Sequence, residues 1–238
     1  MSGYLIVNLS NMLGELEEEE VKKILSSFSC PLNKDVEEFL KNKAIEFSKQ
    51  GLASTHLVLT SYKGKPVIVG YFTLANKYFT IKRKTLSNSL ARKIVKFGQY
   101  NEELRRYIIG APLIGQIGKN YSNNYNKLIK GDELLKIACD KIKAVQLDMG
   151  GKIVYLECED KPKLIEFYKD NGFVDFGKRS LDKDETDSLD GDYLVQMLKY
   201  LKKQKYIKSK MTILIDGLFL YNKLKRRMNY ESIFRWNL

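Results

Sequence analysis

The run NKLIKGDELLKIACDKI, residues 126–142, contains a single glycine, Gly131, and continues directly into a strong helix pattern. A helix is predicted over Gly131–Asp148, because apolar residues recur there every three or four positions. Strand patterns flank it, at Pro112–Gly118 before the helix and at Lys152–Cys158 after it. This order constrains the chain to a mixed α/β fold with a central sheet. The turn before the helix is also a place where free backbone N–H groups can hold a phosphate.

The rest of the sequence extends this pattern on both sides. The other predicted elements are helices over 17–28, 33–51 and 163–171, a hairpin of strands 56–62 and 66–74, and final strands 174–178 and 193–199 joined by the acidic loop 182–192. Segment 77–107 predicts a short strand near Tyr78–Ile81 and one or two helices. The predicted fold class is therefore α/β, with a mixed central β-sheet flanked by helices.

Basic residues are concentrated in two segments of a chain whose net charge is +12. Residues 77–107 hold nine Lys or Arg against two acidic residues, and residues 202–238 hold ten against two. The change in composition near Leu201 predicts a domain over 1–201, with 77–107 as a basic insertion-like segment, and a basic helical appendage over 202–238. Such segregation suits a polyanion such as RNA. A solvated, lysine-rich surface explains it equally, because arginine, the better sign of nucleic-acid contact, is the minority.

Cysteine and histidine, the residues that metal sites most often use, are scarce in this chain. Cys30, Cys139 and Cys158 are scattered and have no metal-ligand spacing, and His56 is the only histidine. A metal site is therefore not expected, and the cysteines fit reduced thiols in a cytoplasmic protein. No stretch approaches the ~18–20 apolar residues of a bilayer-spanning helix, so an integral membrane protein is not expected.

Four stretches resemble the GNAT N-acyltransferase superfamily, in family order over roughly residues 28–200. They are Phe28–Cys30 with Val36–Leu40, then Val69–Ala75, Leu113–Lys119 and Glu166–Phe173. The last is close to the family's FYxxxGF helix ending, and the first resembles a branch that includes tRNA-acetylating toxins. The resemblance implies a GNAT-like domain that uses acetyl-CoA as co-substrate and transfers the acetyl group directly to an amine.

The resemblance also implies where acetyl-CoA binds. The family's pyrophosphate motif is Gln or Arg, two residues, Gly, one residue, then Gly or Ala. Asn126 stands at its first position, Ile129 replaces its first glycine, and Gly131 is kept. The implied contacts are Ile117, Gly118 and Lys119 with the pantetheine arm, and Asn126, Lys127, Ile129, Lys130, Gly131 and Asp132 with the pyrophosphate. Lys127 and Lys130 could add direct charge pairing with phosphate. Lys161 is a further departure, since many members have Asn there.

Two residues are candidates for the proton transfers. Tyr168 matches the family tyrosine that acts as general acid to the CoA thiolate, which is typically worth ~10²–10⁴-fold in rate. Glu157 is the candidate general base, with Glu159 on the same side of its strand by alternation. Both glutamates could instead be surface carboxylates, with water taking the proton. His56 is expected to be structural.

Three hypotheses for the function follow. The first is an acyl-CoA-dependent N-acetyltransferase whose acceptor amine is unidentified. The second is a degenerate GNAT fold that binds CoA or a partner without catalysis, since a fold can outlive its chemistry. The third is toxin-type acetylation of aminoacyl-tRNA, with RNA bound through the basic segments. A homodimer is an open assembly state in each case.

Overall fold

The computed structural model of the chain describes residues 3–181 and 192–202. Nearly all of these residues belong to one compact unit that ends at Leu201. Its strands are β1 (Leu5–Asn8), β2 (Ser54–Tyr62), β3 (Lys65–Ile81), β4 (Gly98–Asn101), β5 (Arg106–Lys119), β6 (Ile153–Cys158), β7 (Val174–Ser180) and β8 (Tyr193–Tyr200). Its helices are α1 (Leu9–Glu15), α2 (Glu18–Ser26), α3 (Lys34–Glu38), α4 (Ala44–Lys49), α5 (Asn88–Ile94), α6 (Gly131–Met149) and α7 (Pro162–Asp170). A π-helical turn, Phe39–Lys43, joins α3 to α4.

The described strands form one sheet in the order β1-β2-β3-β5-β6-β8-β7, with β4 paired to β5 off this path. Every pairing is antiparallel except that of β5 with β6. The parallel pair is connected through α6, as parallel neighbours require a crossover. This confirms the predicted mixed central sheet flanked by helices.

Strand alternation divides the core between the two faces of the sheet. Val69 and Phe72 of β3 pack with α6 and α7 on one face, which we call the α6 face. Ile68 and Tyr71 point to the opposite face, which we call the α3 face, and pack with α1–α4. Farther along that second face, α5 covers a cluster that includes Tyr155 of β6.

One edge of β5 changes partner along its length. Residues 106–109 pair with β4, and only Leu113 and Ile114 pair with β6. The register of β5 against β3 then skips Gly115, which is a β-bulge. A bulge bends its strand, and here it comes directly after the last residue paired with β6. Residues 115–119 therefore keep β3 on one side and have no described strand on the other.

Several elements differ from the sequence predictions. The strand near Tyr78–Ile81 is the end of β3, because the pairing with β5 continues without a break through Asn76 and Lys77. For the same reason β5 begins at Arg106 and not at Pro112. Strands β1 and β4 and helix α1 were not predicted, while α5 confirms a helix within 77–107.

The predicted C-terminal appendage, 202–238, lies outside the described residues except for Lys202, and the loop 182–192 does so except for Asp192. Among the helices of the described part, none is long and apolar enough to span a bilayer.

Candidate functional site

The candidate site is the opening between β5 and β6 on the carboxyl side of Ile114. Beyond this residue β5 and β6 no longer pair: β6 keeps β8 on its other edge, as in Glu157 with Gln196, and β5 keeps β3, as in Ile117 with Phe72. The facing edge of β5 therefore offers backbone N–H and C=O groups to whatever enters the opening. Backbone groups need partners wherever water is excluded, so an extended ligand with amide groups is the natural occupant.

Asn120 holds the end of β5 and the turn that follows it. Its side chain is buried; Oδ1 accepts from the backbone N–H groups of Ser29 and Ser122 at 3.0 Å each, and Nδ2 donates to the carbonyl of Ile68 at 2.8 Å. Asn123 and Asn124 then adopt positive φ, of 50° and 61°. Asparagine tolerates this conformation better than other side chains, so the sequence turns sharply here and leads into α6.

The start of α6 presents free donors towards this turn. The backbone N–H of Lys130 is capped by Glu133 Oε2 at 2.9 Å, and the first helical bond runs from Leu134 to Lys130. Within the described part of the chain no backbone carbonyl accepts from the N–H groups of Gly131 and Asp132, whereas that of Glu133 belongs to the capping box with Lys130. These N–H groups and the positive end of the helix dipole suit an anion. Lys127 and Lys130 are exposed next to them, whereas Asp132 and Glu133 add negative charge to the same turn.

The other residues predicted to bind acetyl-CoA have structural roles for their side chains, in the core or in the turn. Ile129 is buried in the core, so only its backbone can face a ligand, whereas Ile117 is half-buried and packs against the core. Lys119 Nζ donates to the carbonyl oxygen of Asn126 at 3.1 Å, which closes the turn. A Cβ at Gly118 would lie 2.5 Å from a methyl carbon of Val36, so this glycine is required by the packing of α3.

Helix α7 places Tyr168 on the α6 face. Pro162 occupies the first turn, and the helix ends at Gly172, whose φ of +79° suits a left-handed C-cap. The side chain of Tyr168 is 6% exposed and packs edge-on against Phe167 and Phe173. Among the described residues its hydroxyl has no hydrogen-bond partner. The hydroxyl is therefore not already engaged by a described residue.

Burial sets the protonation of the groups around Tyr168. Burial raises the pKa of the Tyr168 phenol, so the hydroxyl carries its proton at neutral pH. Burial also raises the pKa of the neighbouring Cys158 thiol to about 12, with nearby carboxylates such as Asp175 adding to the shift. Cys158 is therefore a neutral thiol at neutral pH, not the thiolate that nucleophilic catalysis needs.

Glu157 lies on the α3 face, opposite Tyr168. Its neighbour Cys158 belongs to the cluster on the α6 face, and alternation along β6 puts Glu157 on the other side. Its Oε2 accepts from Nε of Arg179 at 2.8 Å and lies 2.8 Å from the second guanidinium nitrogen, while Oε1 accepts from Gln196 at 2.7 Å. Both oxygens are therefore already engaged between β6, β7 and β8. Glu159 is buried and pairs with Lys161 at 2.8 Å.

A second polar pair lies on the α3 face beside the opening. Gln116, the residue after the bulge, donates from Nε2 to Asp35 Oδ2 at 2.7 Å and so joins β5 to the start of α3. Sequence reasoning identified neither this pair nor Asn120. Only the asparagine-rich turn Asn120–Asn126 was a usable signal, since such residues favour turns.

His56 is structural in its described surroundings. It is 3% exposed, its ring stacks on Phe72 with centroids 5.0 Å apart, and Nδ1 lies 3.2 Å from the carbonyl oxygen of Ser54. Burial and the nearby Lys141 lower its pKa to about 4. In the described part of the chain no group of three or more His, Cys, Asp or Glu could hold a metal ion.

No protein-family model and no curated protein sequence matches the chain. Solved structures do match it in fold. A structure of AtaT in complex with acetyl-methionyl-tRNAfMet has a TM-score of 0.53 and 17% identity, covering 90% of this chain and 99% of AtaT. A tyrosine-to-phenylalanine mutant of KacT has a TM-score of 0.51 and 15% identity, covering 80% and 94%. A further bacterial toxin has a TM-score of 0.50 and 16% identity, covering 84% and 92%.

These likenesses and the strand order establish the fold, which is the GNAT-like fold that the four sequence stretches predicted.

Proposed function

We propose that the protein is an acyl-CoA-dependent N-acetyltransferase of the GNAT type, acting in the cytoplasm. The observation that carries the proposal is the opening of β5 from β6 at the Gly115 bulge, with the free N–H groups of α6 beside the end of β5. An extended ligand with two amides followed by a pyrophosphate, which is the arrangement in acetyl-CoA, fits both features. The toxin-like fold supports the same class of reaction.

Binding would use backbone groups more than side chains. The edge of β5 at Ile117, Gly118 and Lys119 would pair with the pantetheine amides. The N–H groups at the start of α6 would hold the pyrophosphate, with Lys127 and Lys130 pairing with its charge. Since Ile129 and Asn126 replace the usual glycine and basic or amide residue, we expect weaker binding than a glycine-rich turn would give.

In the proposed reaction the acceptor amine attacks the thioester carbonyl carbon, the C–N bond forms, and the C–S bond breaks. The electron pair of that bond leaves on the CoA sulfur, and the Tyr168 hydroxyl gives the sulfur its proton; water then returns a proton to the Tyr168 phenolate. Tyr168 carries its proton at neutral pH, as a proton donor must, while the burial that raises its pKa also makes it a weaker acid. The neutral Cys158 supports direct transfer without an acyl-enzyme.

The proton lost by the amine is assigned to water. Glu157 was the predicted base, but an ion pair with Arg179 and a hydrogen bond from Gln196 occupy its oxygens. The acceptor would approach from the α3 face, where Gln116 and Asp35 border the opening.

The acceptor has one favoured candidate, the amino group of an aminoacyl-tRNA. Two observations favour it: AtaT, whose fold this chain shares, was solved with acetyl-methionyl-tRNAfMet, and the chain carries the basic segment 77–107. A homodimer stays a prediction.

Calorimetric titration of the full chain with acetyl-CoA tests the proposal, with desulfo-CoA and ATP as ligands for comparison. We expect acetyl-CoA to bind and a charge-reversed Lys127→Glu/Lys130→Glu variant to bind more weakly. Absence of binding would leave the degenerate, non-catalytic hypothesis. Binding without acetyl transfer to a panel of charged tRNAs and free amines would support CoA binding alone.

A further inference from the structure

The turn of the β4–β5 hairpin, beside the end of β3, carries a pocket that the proposed acyl-CoA site does not use. We call it the hairpin pocket; it is lined by Lys82, Arg83, Lys84, Tyr100, Arg105 and Tyr107 and encloses about 370 Å³. It lies at the start of β5, roughly 30 Å along the strand from Gly115 at about 3.4 Å per residue. Four cations and two aromatic rings therefore meet at one place, far from the opening between β5 and β6.

The two rings form an accessible aromatic surface. Tyr100 and Tyr107 are direct partners in the β4–β5 register, and their centroids are 5.1 Å apart at an interplanar angle of 61°. Tyr100 is 47% exposed. Tyrosine beside water at a concave surface is a typical platform for stacking of a planar ligand.

The cations around these rings are not neutralised by acidic residues within 3–181 and 192–202. Lys82, Arg83 and Lys84 follow β3 consecutively, and Arg105 ends the turn into β5 with a φ of +50°. None of the four forms an ion pair with a carboxylate of the described residues. Glu102 and Glu103 lie in the adjoining turn but do not line the pocket. An anion would relieve the mutual repulsion of these charges.

We propose that the hairpin pocket binds an unpaired nucleotide of RNA, with its phosphates on the Lys and Arg side chains and its base stacked on Tyr100. A duplex would leave the ring unused, because its bases are already stacked, and unpaired bases are the usual target of aromatic side chains. An acidic protein segment would use the cations without needing the ring. The choice of RNA rests on the proposed aminoacyl-tRNA acceptor; the binding itself needs neither acetyl-CoA nor catalysis.

Fluorescence anisotropy with a labelled single-stranded RNA 10-mer tests the proposal on the full chain. Arg83→Ala/Lys84→Ala is compared with Lys23→Ala/Lys65→Ala, which removes two exposed charges elsewhere. We expect the first variant to bind at least tenfold more weakly and its log–log salt slope to fall by about 1.4, since each phosphate contact on a single strand contributes ~0.7. The second variant is expected to stay within threefold of wild type.

Tyr100→Ala tests the stacking role against Tyr78→Ala, which removes a 71% exposed tyrosine outside the pocket. We expect a loss of about 5–150-fold for Tyr100→Ala, as stacking on one ring typically gives, and none for Tyr78→Ala. Equal effects of the two double variants would overturn the proposal. It would also be overturned if Tyr100→Ala bound RNA normally while polyglutamate competed, because the pocket would then suit an acidic protein.

Acetyl-CoA titration of the same variants separates this proposal from the proposed function. All are expected to bind acetyl-CoA as wild type does. If neither wild type nor any variant bound acetyl-CoA while the variants still differed in RNA affinity as expected, the proposed acetyltransferase function would be wrong. The proposed RNA binding by the hairpin pocket would still hold.

Discussion

Gly131, at the start of α6, lies against the ring of Phe167 in α7: a Cβ at this position would be 3.3 Å from Phe167 Cε2. The two helices that border the candidate site thus meet at the N-terminus of α6. The contact in α7 is made by Phe167, the residue before Tyr168. The glycine expected beside a pyrophosphate is therefore also a close contact between α6 and α7, where a Cβ would make the Phe167 ring shift by a few tenths of an ångström.

We predict that Gly131→Val destabilises the protein by about 1–3 kcal/mol, because overpacking a tight contact forces neighbours to move. Gly14→Val is the matched control, since Gly14 is also helical but has no heavy atom near its Cβ position. Urea unfolding measures both. Adding Phe167→Leu to Gly131→Val should recover part of the loss; a double variant no more stable than the single would contradict the contact.

Tyr168→Phe is predicted to lower the acetyl-transfer rate constant by ~10²–10⁴-fold, because it removes the proton donor to the CoA sulfur. Acetyl-CoA affinity and thermal stability should stay close to wild type. Stopped assays for free thiol give the rate. Tyr155→Phe controls for loss of a buried hydroxyl on the α3 face, and equal rates for the two variants would remove Tyr168 from the chemistry.

Glu157→Gln is predicted to act on stability more than on catalysis. Glu157 and Arg179 are largely buried, with 14% and 28% of their side chains exposed, so removing the carboxylate charge from this ion pair should cost about 1–3 kcal/mol. Arg179→Gln should reduce the free energy of unfolding similarly. A Glu157→Gln enzyme that is as stable as wild type but inactive would restore Glu157 as the general base.

Stability is predicted to fall as the pH drops from about 6.5 to 4, because of His56. Its folded pKa, about 4, is below the unfolded value, so the unfolded chain binds the proton first and stability is greatest above pH 6.5. The full shift corresponds to at most about 3 kcal/mol at ~1.36 kcal/mol per pKa unit. His56→Phe should flatten the wild-type curve between pH 6.5 and 4 in urea unfolding, and since it is the only histidine, an unchanged slope would contradict the assignment.

The sequence by itself determined the fold class, the long helix after Gly131 and the helix that carries Tyr168. These predictions depend on apolar periodicity and on local helix stop signals such as Gly172. Such signals extend over a few residues, so they can be recognised without knowing which segment packs against them. The acetyl-CoA contacts and the general-acid role of Tyr168 remain predictions from the resemblance.

Only the tertiary structure decided which side each candidate faces and what already occupies it. Glu157 and Tyr168 lie on opposite faces, and Glu157 is held by Arg179, because β7 and β8 return to pair beside β6. The bulge at Gly115 and the three hydrogen bonds of Asn120 likewise depend on strands far away in sequence. Strand register and hydrogen bonds between distant segments cannot be predicted from local composition, because they depend on residues far away in the sequence. Helix periodicity and burial can be predicted, because they depend on residues a few positions apart.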